Sequence, residues 1–317
     1  MIIETEYRAL TSAGQEGLPL KVSDAVVAIG NFDGVHLGHR ALLAHGRAIA
    51  DKEGWRLVVL SFSPHPRHFF RPDQPSFLLA DPVQKLEELT KAGADDIVIL
   101  HFDAVLADVS AEDFITDVLK DALVAKHVVV GDNFLFGKGR AGTIATLVES
   151  GLAVSPLPAI TDLGGQRLSS ERVRAALRGG YVASAEDLLG RPWEIRGEVV
   201  KGNQKGRTIG FPTANMALGD YLHPKLGVYT ARVIFEGEAG SHPAVVNIGQ
   251  RPTVGVSGPL LEAHLLDFDG DLYGKMMRVT LDRFLRPEQK FASFDLLKEQ
   301  IQRDTDTARE VFAGPVL

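Results

Sequence analysis

Gly30-Asn31-Phe32-Asp33-Gly34-Val35-His36-Leu37-Gly38-His39 follows the apolar run Asp24-Ala25-Val26-Val27-Ala28-Ile29 and precedes a stretch where Ala41, Leu42, Ala44, Ala48 and Ile49 recur at helical spacing. A short apolar run that stops at glycine predicts a buried strand, and the recurrence predicts a helix over 40–51. The turn from a strand's carboxyl end into a helix N-terminus is where open α/β sheets bind ligands and where backbone amides favour anions. His36 and His39 flank Gly38 at that turn. Two imidazoles placed there can approach triphosphate oxygens and stabilise the charge that builds during in-line attack on an α-phosphorus. Gly30 and Gly34 allow the backbone to come close to a nucleotide, so Gly30, Asn31, Phe32, Asp33, Gly34 and Gly38 are expected to bind ATP.

Outward from this stretch, strand and helix signals alternate. Strands are predicted over 56–62, 96–100 and 127–130. Asp81 followed by Pro82 predicts a helix start, and the helix should stop at Gly93. Ser110 is placed to cap a helix over 111–123. This rhythm predicts a parallel sheet covered by helices, with strand-to-helix turns along one edge.

After Ser169 the pattern changes. Helices are predicted over 170–177 and 185–189, and from Trp193 onward the apolar runs are short and bounded by Gly and Pro. Runs at 198–200, 228–235, 244–248, 262–266 and 277–281 predict a small antiparallel barrel or sandwich, closed by a helix over 293–311. The boundary falls near 180–192, which divides the chain into 1–184 and 185–317.

Composition narrows the function. The chain has 317 residues, 45% hydrophobic and 24% charged, with a net charge of −7 and no cysteine. An acidic body disfavours nucleic acid as a partner, because phosphate backbones require clustered Lys and Arg. Without cysteine there are no disulfides, thiolate metal ligands or thiol nucleophiles. No apolar stretch reaches the ~20 residues needed to span a bilayer, and the first residues do not read as a signal peptide. The expectation is a cytoplasmic enzyme with no membrane partner.

Further segments of the front half fit the same chemistry. Ser61-Phe62-Ser63-Pro64-His65-Pro66 should present His65 from a proline-fixed loop, and Val130 to Gly137 offers Asn133 for polar recognition. Ser169, Ser170, Arg172 and Arg174 open a helix with two hydroxyls and two cations, a grip for departing pyrophosphate. Gly137-Lys138-Gly139-Arg140-Ala141-Gly142 satisfies GxGxxG but does not follow the first strand of a β-α-β unit, so it reads as a flexible loop. Residues 131–138 are not a Walker loop either, since the spacing is one residue too long and no Ser or Thr follows Lys138.

A second phosphate-handling stretch lies in the back half, from Gly202 to Asn215. Gly202, Gly206 and Gly210 make a backbone cradle, and Lys205 and Arg207 add positive charge, so these residues and Pro212 are expected at ATP. Thr213 and Asn215 share one face of an extended segment. Their hard oxygens suit Mg²⁺ bound together with phosphates. Phosphorylating an alcohol also needs a proton acceptor, and Glu262, on the same strand face as His264, is the candidate base.

These residues closely resemble the bacterial bifunctional riboflavin kinase/FMN adenylyltransferase family, also called FAD synthetases, over nearly the whole chain. The HxGH motif stands at His36 to His39 and the NFxFG-type segment at Asn133 to Gly137. The back-domain pattern runs from Gly206 to Asn215 and continues in Gly227-Val228-Tyr229, Asn247-Ile248-Gly249, Arg251-Pro252-Thr253, Glu262 to Phe268 and Gly270 to Gly274. The resemblance implies a Rossmann-like nucleotidyltransferase domain followed by a six-stranded kinase barrel. It also implies that riboflavin, FMN and ATP are the substrates, with catalysis by His36, His39 and Glu262 and with His65 and Asn133 at the flavin. The family's SSTxxR signature carries Glu171 at its third position here, and Lys205 stands where Arg is common. Alternative readings are a riboflavin kinase with an inactive front domain, and a flavin-binding module without turnover. Phe291, Arg286 and the C-terminal helix are candidates for a wall against the flavin.

Overall fold

The computed structural model describes residues 1–12, 24–200, 211–238, 240–250, 258–270 and 272–313. They form two compact units, one of Met1–Gln74 with Pro82–Ser169, the other of Pro75–Asp81 with Ser170–Leu317.

The first unit is built on six parallel strands: β1 (Ile2–Thr5), β2 (Ala25–Ile29), β3 (Arg56–Ser63), β4 (Asp96–His101), β5 (Ala125–Gly131) and β6 (Ala153–Leu157). Their order in the sheet is β1-β4-β3-β2-β5-β6. Successive side chains leave a strand on opposite faces. Val27, Ile29, Val58 and Leu60 therefore enter one core with Phe114 and Val118. Val26, Ala28, Leu57 and Val59 enter the other with Leu42, Leu43 and Leu89. Burial on both faces is why the strands read as unbroken apolar runs rather than as alternation. The helices are α1 (Tyr7–Ser12), α2 (Leu37–Glu53), α3 (Pro66–Phe70), α4 (Pro82–Lys91), α5 (Ala104–Ala107), α6 (Ala111–Asp113) and α7 (Ile144–Glu149).

Three local features differ from expectation. Ser110 does cap, its Oγ accepting from Asp113 N at 3.0 Å, but after α6 the helix widens to π form over Phe114–Ala122. The GxGxxG segment is not a flexible loop. Phe136 and Gly142 exchange two backbone hydrogen bonds of 3.1 and 2.9 Å, and Lys138 N donates to Val109 O at 2.7 Å, pinning a short 3₁₀ turn. The edge strands β1 and β6 carry no strong sequence signal, because each is only partly covered and mixes polar with apolar residues.

In the second unit β7 (Glu194–Glu198), β8 (Ala214–Ala217), β9 (Gly227–Phe235), β10 (His242–Gly249), β11 (Leu260–Leu265) and β12 (Met276–Arg286) pair antiparallel in the order β7-β12-β9-β10-β11-β8. A bridge between Val200 and Asn215 joins the chain after β7 to β8, and so brings the two ends of the sheet together as a barrel. Met216, Ala231, Val233, Val246, Ile248, Leu261, Ala263 and Val279 are buried. Helices α8 (Ser170–Gly179) and α9 (Val182–Leu189) precede the barrel, and α10 (Phe294–Ala313) buries Ala308 against Val228, Val245 and Leu266. Residues 75–81 are a strap of this unit. Leu78 bridges Tyr221, the Trp193 indole donates to Leu79 O at 2.8 Å, and the Tyr221 hydroxyl donates to Asp81 Oδ2 at 2.9 Å.

One barrel carboxyl works against stability at neutral pH. Burial pushes Asp282 up to about 6, opposed by Arg232 at 3.9 Å and reinforced by Glu186. A carboxyl whose folded pKa is raised is stabilising below its unfolded value, and that contribution is lost as pH rises through the folded value. Asp282→Asn should therefore gain stability relative to the parent between pH 4 and pH 7.5, by on the order of 2 kcal/mol across that window. Denaturant titrations at the two pH values check this, and a pH-independent difference between the proteins would refute it.

Candidate functional site

The first constellation sits where the chain order reverses. From β2, the sheet grows through β3 on one side and β5 on the other, and ligands of open α/β sheets bind at the carboxyl ends of such strands. The loop after β2 is tied to β3, with Gly30 N donating to Leu60 O at 3.1 Å and Ser61 Oγ donating to Asn31 O at 3.2 Å. It then folds through three left-handed residues, Phe32 (φ 50), Gly34 (φ 77) and Val35 (φ 40). A branched side chain at positive φ is costly, on the order of 1–3 kcal/mol, and survives only where packing over-determines it. Here Phe32 and Val35 are both fully buried.

That strained turn delivers His36 to the N-cap of α2, where its Nδ1 accepts from His39 N at 3.3 Å. The His36 and His39 rings stack with centroids 3.7 Å apart and planes 18° apart, and the edge of Phe32 meets His39 at 5.2 Å. Gly38 leaves room for this arrangement. A Cβ there would lie 3.0 Å from His36 Cε1 and 3.1 Å from its Nδ1. The result is a rigid imidazole pair at the N-terminus of a 17-residue helix, aimed where an anion is favoured.

The other front-half residues are placed as follows. His65 caps α3, its Nδ1 accepting from Arg67 N at 3.0 Å, and Phe69 and Phe70 of that helix meet Phe102, which also meets Phe62. Phe70 is 65% exposed. Asn133 is exposed, and its Oδ1 accepts from Arg167 at 3.2 Å. Ser169 ends the first unit, whereas Ser170, Arg172 and Arg174 open α8 in the second. Arg174 does not present an open cation for pyrophosphate. Its guanidinium is buried, donates from Nε to Phe77 O at 2.9 Å and pairs with Glu171 at 3.1 Å. Glu171 also pairs with Arg178 at 3.3 Å, so its carboxylate is balanced by two cations of its own helix.

In the second unit, Gly202, Lys205, Gly206, Arg207 and Gly210 lie outside the described residues. Pro212 and the residues after it are described. Thr213 leads into β8, and register sets Asn215 opposite Glu262 and Glu262 opposite Asn247 across β8, β11 and β10. Residues directly opposite share a face of an antiparallel sheet, so three polar side chains form a row. Asn247 Nδ2 donates to Glu262 Oε2 at 3.3 Å, and Asn215 Nδ2 donates to Thr213 O at 3.3 Å. His264, two residues from Glu262, has Nδ1 2.9 Å from Pro212 O and fastens the strand entrance.

Two cavities meet at Thr213. One, of about 440 Å³, is lined by Val199, Pro212, Asn215, Phe268 and Tyr273 among others. The second, of about 340 Å³, holds Glu262 and Asn247 against an apolar wall that includes Phe211, Val228, Val245, Phe291 and Phe294. Arg286 also lines it, locked to Asp304 by hydrogen bonds of 3.0 and 2.7 Å. Two adjoining pockets that share one hydroxyl residue, one holding Asn215 and the other Glu262, can hold a phosphate donor and a planar acceptor side by side.

The chain is 43% identical over 307 residues to the bifunctional riboflavin kinase/FMN adenylyltransferase of Escherichia coli K12, covering 96% of this chain and 95% of that protein. The chain belongs to this bifunctional family. The family model for FAD synthetase matches residues 19–172, and that for riboflavin kinase matches 189–312. The Bacillus subtilis bifunctional enzyme is 34% identical, over 92% of this chain and 93% of that one. The crystal structure of a macrolide-efflux protein from Streptococcus pneumoniae superposes with a TM-score of 0.84 at 31% identity, over 97% of this chain and 98% of that one. No described helix is long and apolar enough to cross a membrane.

The FAD synthetase match covers the strained loop and the imidazole pair, and the riboflavin kinase match covers the two cavities. Sequence reasoning did not single out Asn247, which donates to the candidate base Glu262. It also missed the cluster of phenylalanines that α3 joins. Spacing could have exposed the first, since Asn247 interrupts an otherwise apolar strand. Nothing local links Phe62, Phe69 and Phe102, which come from β3, α3 and the end of β4.

Proposed function

We propose that the chain converts riboflavin to FAD in two steps, with the chemistry of each step carried by one unit. In the second unit the 5′-hydroxyl of riboflavin attacks the γ-phosphorus of ATP. The new O–P bond forms as the bond to the β-bridging oxygen breaks, and the hydroxyl proton passes to the Glu262 carboxylate. ADP and FMN leave. The apolar cavity beside Glu262 suits the isoalloxazine, and Asn247 orients the base. Among the described residues no three His, Asp or Glu gather as a metal cluster. Thr213 and Asn215 nevertheless fit a Mg²⁺ held largely by phosphates, because the amide nitrogen of Asn215 is turned to Thr213 O and its oxygen remains for the ion. When bound, that ion would neutralise phosphate charge.

In the first unit a phosphate oxygen of FMN attacks the α-phosphorus of a second ATP, and the bond to pyrophosphate breaks. His36 and His39 stabilise the charge that grows on the α-phosphate, with the α2 amides behind them. Asn133 and His65 are assigned to the flavin side, and the exposed Phe70 at the far end of the helix that His65 caps offers a face for stacking.

The observation that carries this reading is the coexistence of two constellations with different chemistry: an imidazole pair at a helix N-terminus, and a carboxylate in a cavity that shares Thr213 with a second cavity holding Asn215. The test is to incubate the protein with riboflavin, ATP and Mg²⁺ and to resolve the flavins over time. FMN should rise and then give way to FAD. FMN accumulating alone would refute the role given to the first unit, and no product would refute both.

A further inference from the structure

Lys85 occupies the same end of the first unit as the imidazole pair. It projects from α4, a helix anchored by Leu89 in the core and by Glu88, which pairs with Arg40 at 2.7 Å and with Lys91 at 2.8 Å. The Lys85 Nζ donates to Phe62 O at 3.2 Å. Phe62 lies near the carboxyl end of β3, next to Ser61, whose hydroxyl holds Asn31 of the loop after β2. The ammonium is thus level with the Asn31–Asp33 stretch, at the edge of the sheet where the loop turns.

An ammonium carries three donors. Lys85 gives one of them to a neutral carbonyl and is only half-buried, so its charge is partly stripped of water and weakly compensated. Asp33, itself buried, is the carboxylate whose field reaches it. Burial outweighs this attraction and draws Lys85 down to about 8. Surface lysines do not sit in such places, because solvent satisfies them at no cost. A poorly compensated cation at the carboxyl edge of a parallel sheet is matched by an incoming anion.

We propose that Lys85 is a further phosphate-binding residue of the adenylyl-transfer site, using its remaining donors on an oxyanion of the bound substrates. The inference rests on the assignment of adenylyl transfer to the first unit. Phosphate oxygens reach that site from two sources, the triphosphate of ATP and the monophosphate of FMN, and either would be held through the same charge-assisted hydrogen bonds. Bound phosphate would also favour the protonated amine and so reverse the effect of burial.

The test uses the full chain with Lys85→Met and Lys85→Arg. Initial rates of FAD formation from supplied FMN are measured with each substrate varied, together with inhibition by inorganic pyrophosphate. Riboflavin phosphorylation by the same preparations reports that the variants are folded. Lys85→Met should lower kcat/KM for FAD formation by about 10- to 100-fold, and Lys85→Arg should recover about tenfold of that loss by restoring charge. A raised KM for ATP with weakened pyrophosphate inhibition places the contact on the triphosphate. A raised KM for FMN with unchanged pyrophosphate inhibition places it on the monophosphate. Should Lys85→Met fail to fold, Lys85→Arg decides, since a different donor geometry must still shift one KM or the pyrophosphate inhibition. Parent-like kinetics in the folded variants would overturn the proposal while leaving the adenylyl-transfer reading intact. Absence of FAD formation in the parent protein would overturn both.

Discussion

Glu262→Gln should abolish the formation of FMN from riboflavin, lowering kcat by about 10³-fold, while FAD formation from supplied FMN stays at the parent rate. Glutamine keeps the shape of the side chain and can still meet Asn247, which now donates at 3.3 Å to the Glu262 carboxylate. What it loses is the capacity to accept the hydroxyl proton. KM for riboflavin should change little, because the cavity wall is made of Phe211, Val228, Val245, Phe291 and Phe294 and is untouched. Asn247→Leu is expected to act on the same step more weakly, since it removes orientation of the base rather than the base. The measurement is the initial rate of each reaction with purified variants. An equal loss of both activities in Glu262→Gln would refute the division of labour between the units, and an unchanged kinase rate would remove Glu262 from the mechanism.

Much of this machinery was legible before any coordinates, and what was legible shares a physical cause. Residues 25–29 announce a strand because both of their faces are buried, which leaves no polar position to obscure the run. His36, Gly38 and His39 stand out because a turn, a cap and a close approach each demand a particular residue within four positions. Glu262 stands out less, because a lone strand glutamate reads as a solvated face residue and only the neighbouring motifs make it the candidate base. The features that escaped depend on partners distant in sequence. Lys85 reads as one more charged residue on an amphipathic helix, and only the carbonyl of Phe62 and the buried Asp33 give it meaning. Arg174 reads as a phosphate cation because it follows two serines, yet Phe77, nearly a hundred residues earlier, holds its guanidinium inside the second unit. Residues 75–81 look like a connection between front-half elements, and only pairing with Tyr221 and Trp193 assigns them to the barrel's unit.

The same dependence on precise placement gives the second large effect its form. His36→Ala should lower FAD formation from FMN by about 10²- to 10³-fold, the usual cost of removing one donor to developing charge, with FMN formation unaffected. Two separate losses are combined in that number. The side chain is the cap of α2, through the bond from His39 N to its Nδ1, and it is the stacking partner of His39 at 3.7 Å. His36→Asn separates them, because asparagine retains a capping oxygen but no imidazole. It should match the parent in thermal stability while remaining as inactive as His36→Ala. Gly38→Ala tests the placement alone. It leaves both imidazoles present, but its Cβ would press on His36 at 3.0 Å and push the ring slightly within the stack. A displacement of about 1 Å in a positioned group costs about 10²-fold, and a smaller push costs correspondingly less. Gly38→Ala should thus lower FAD formation by about tenfold, less than the histidine variants, through kcat more than through KM for ATP. If Gly38→Ala retained full activity, the stacked geometry would be irrelevant to the reaction, and the two histidines would act independently of each other.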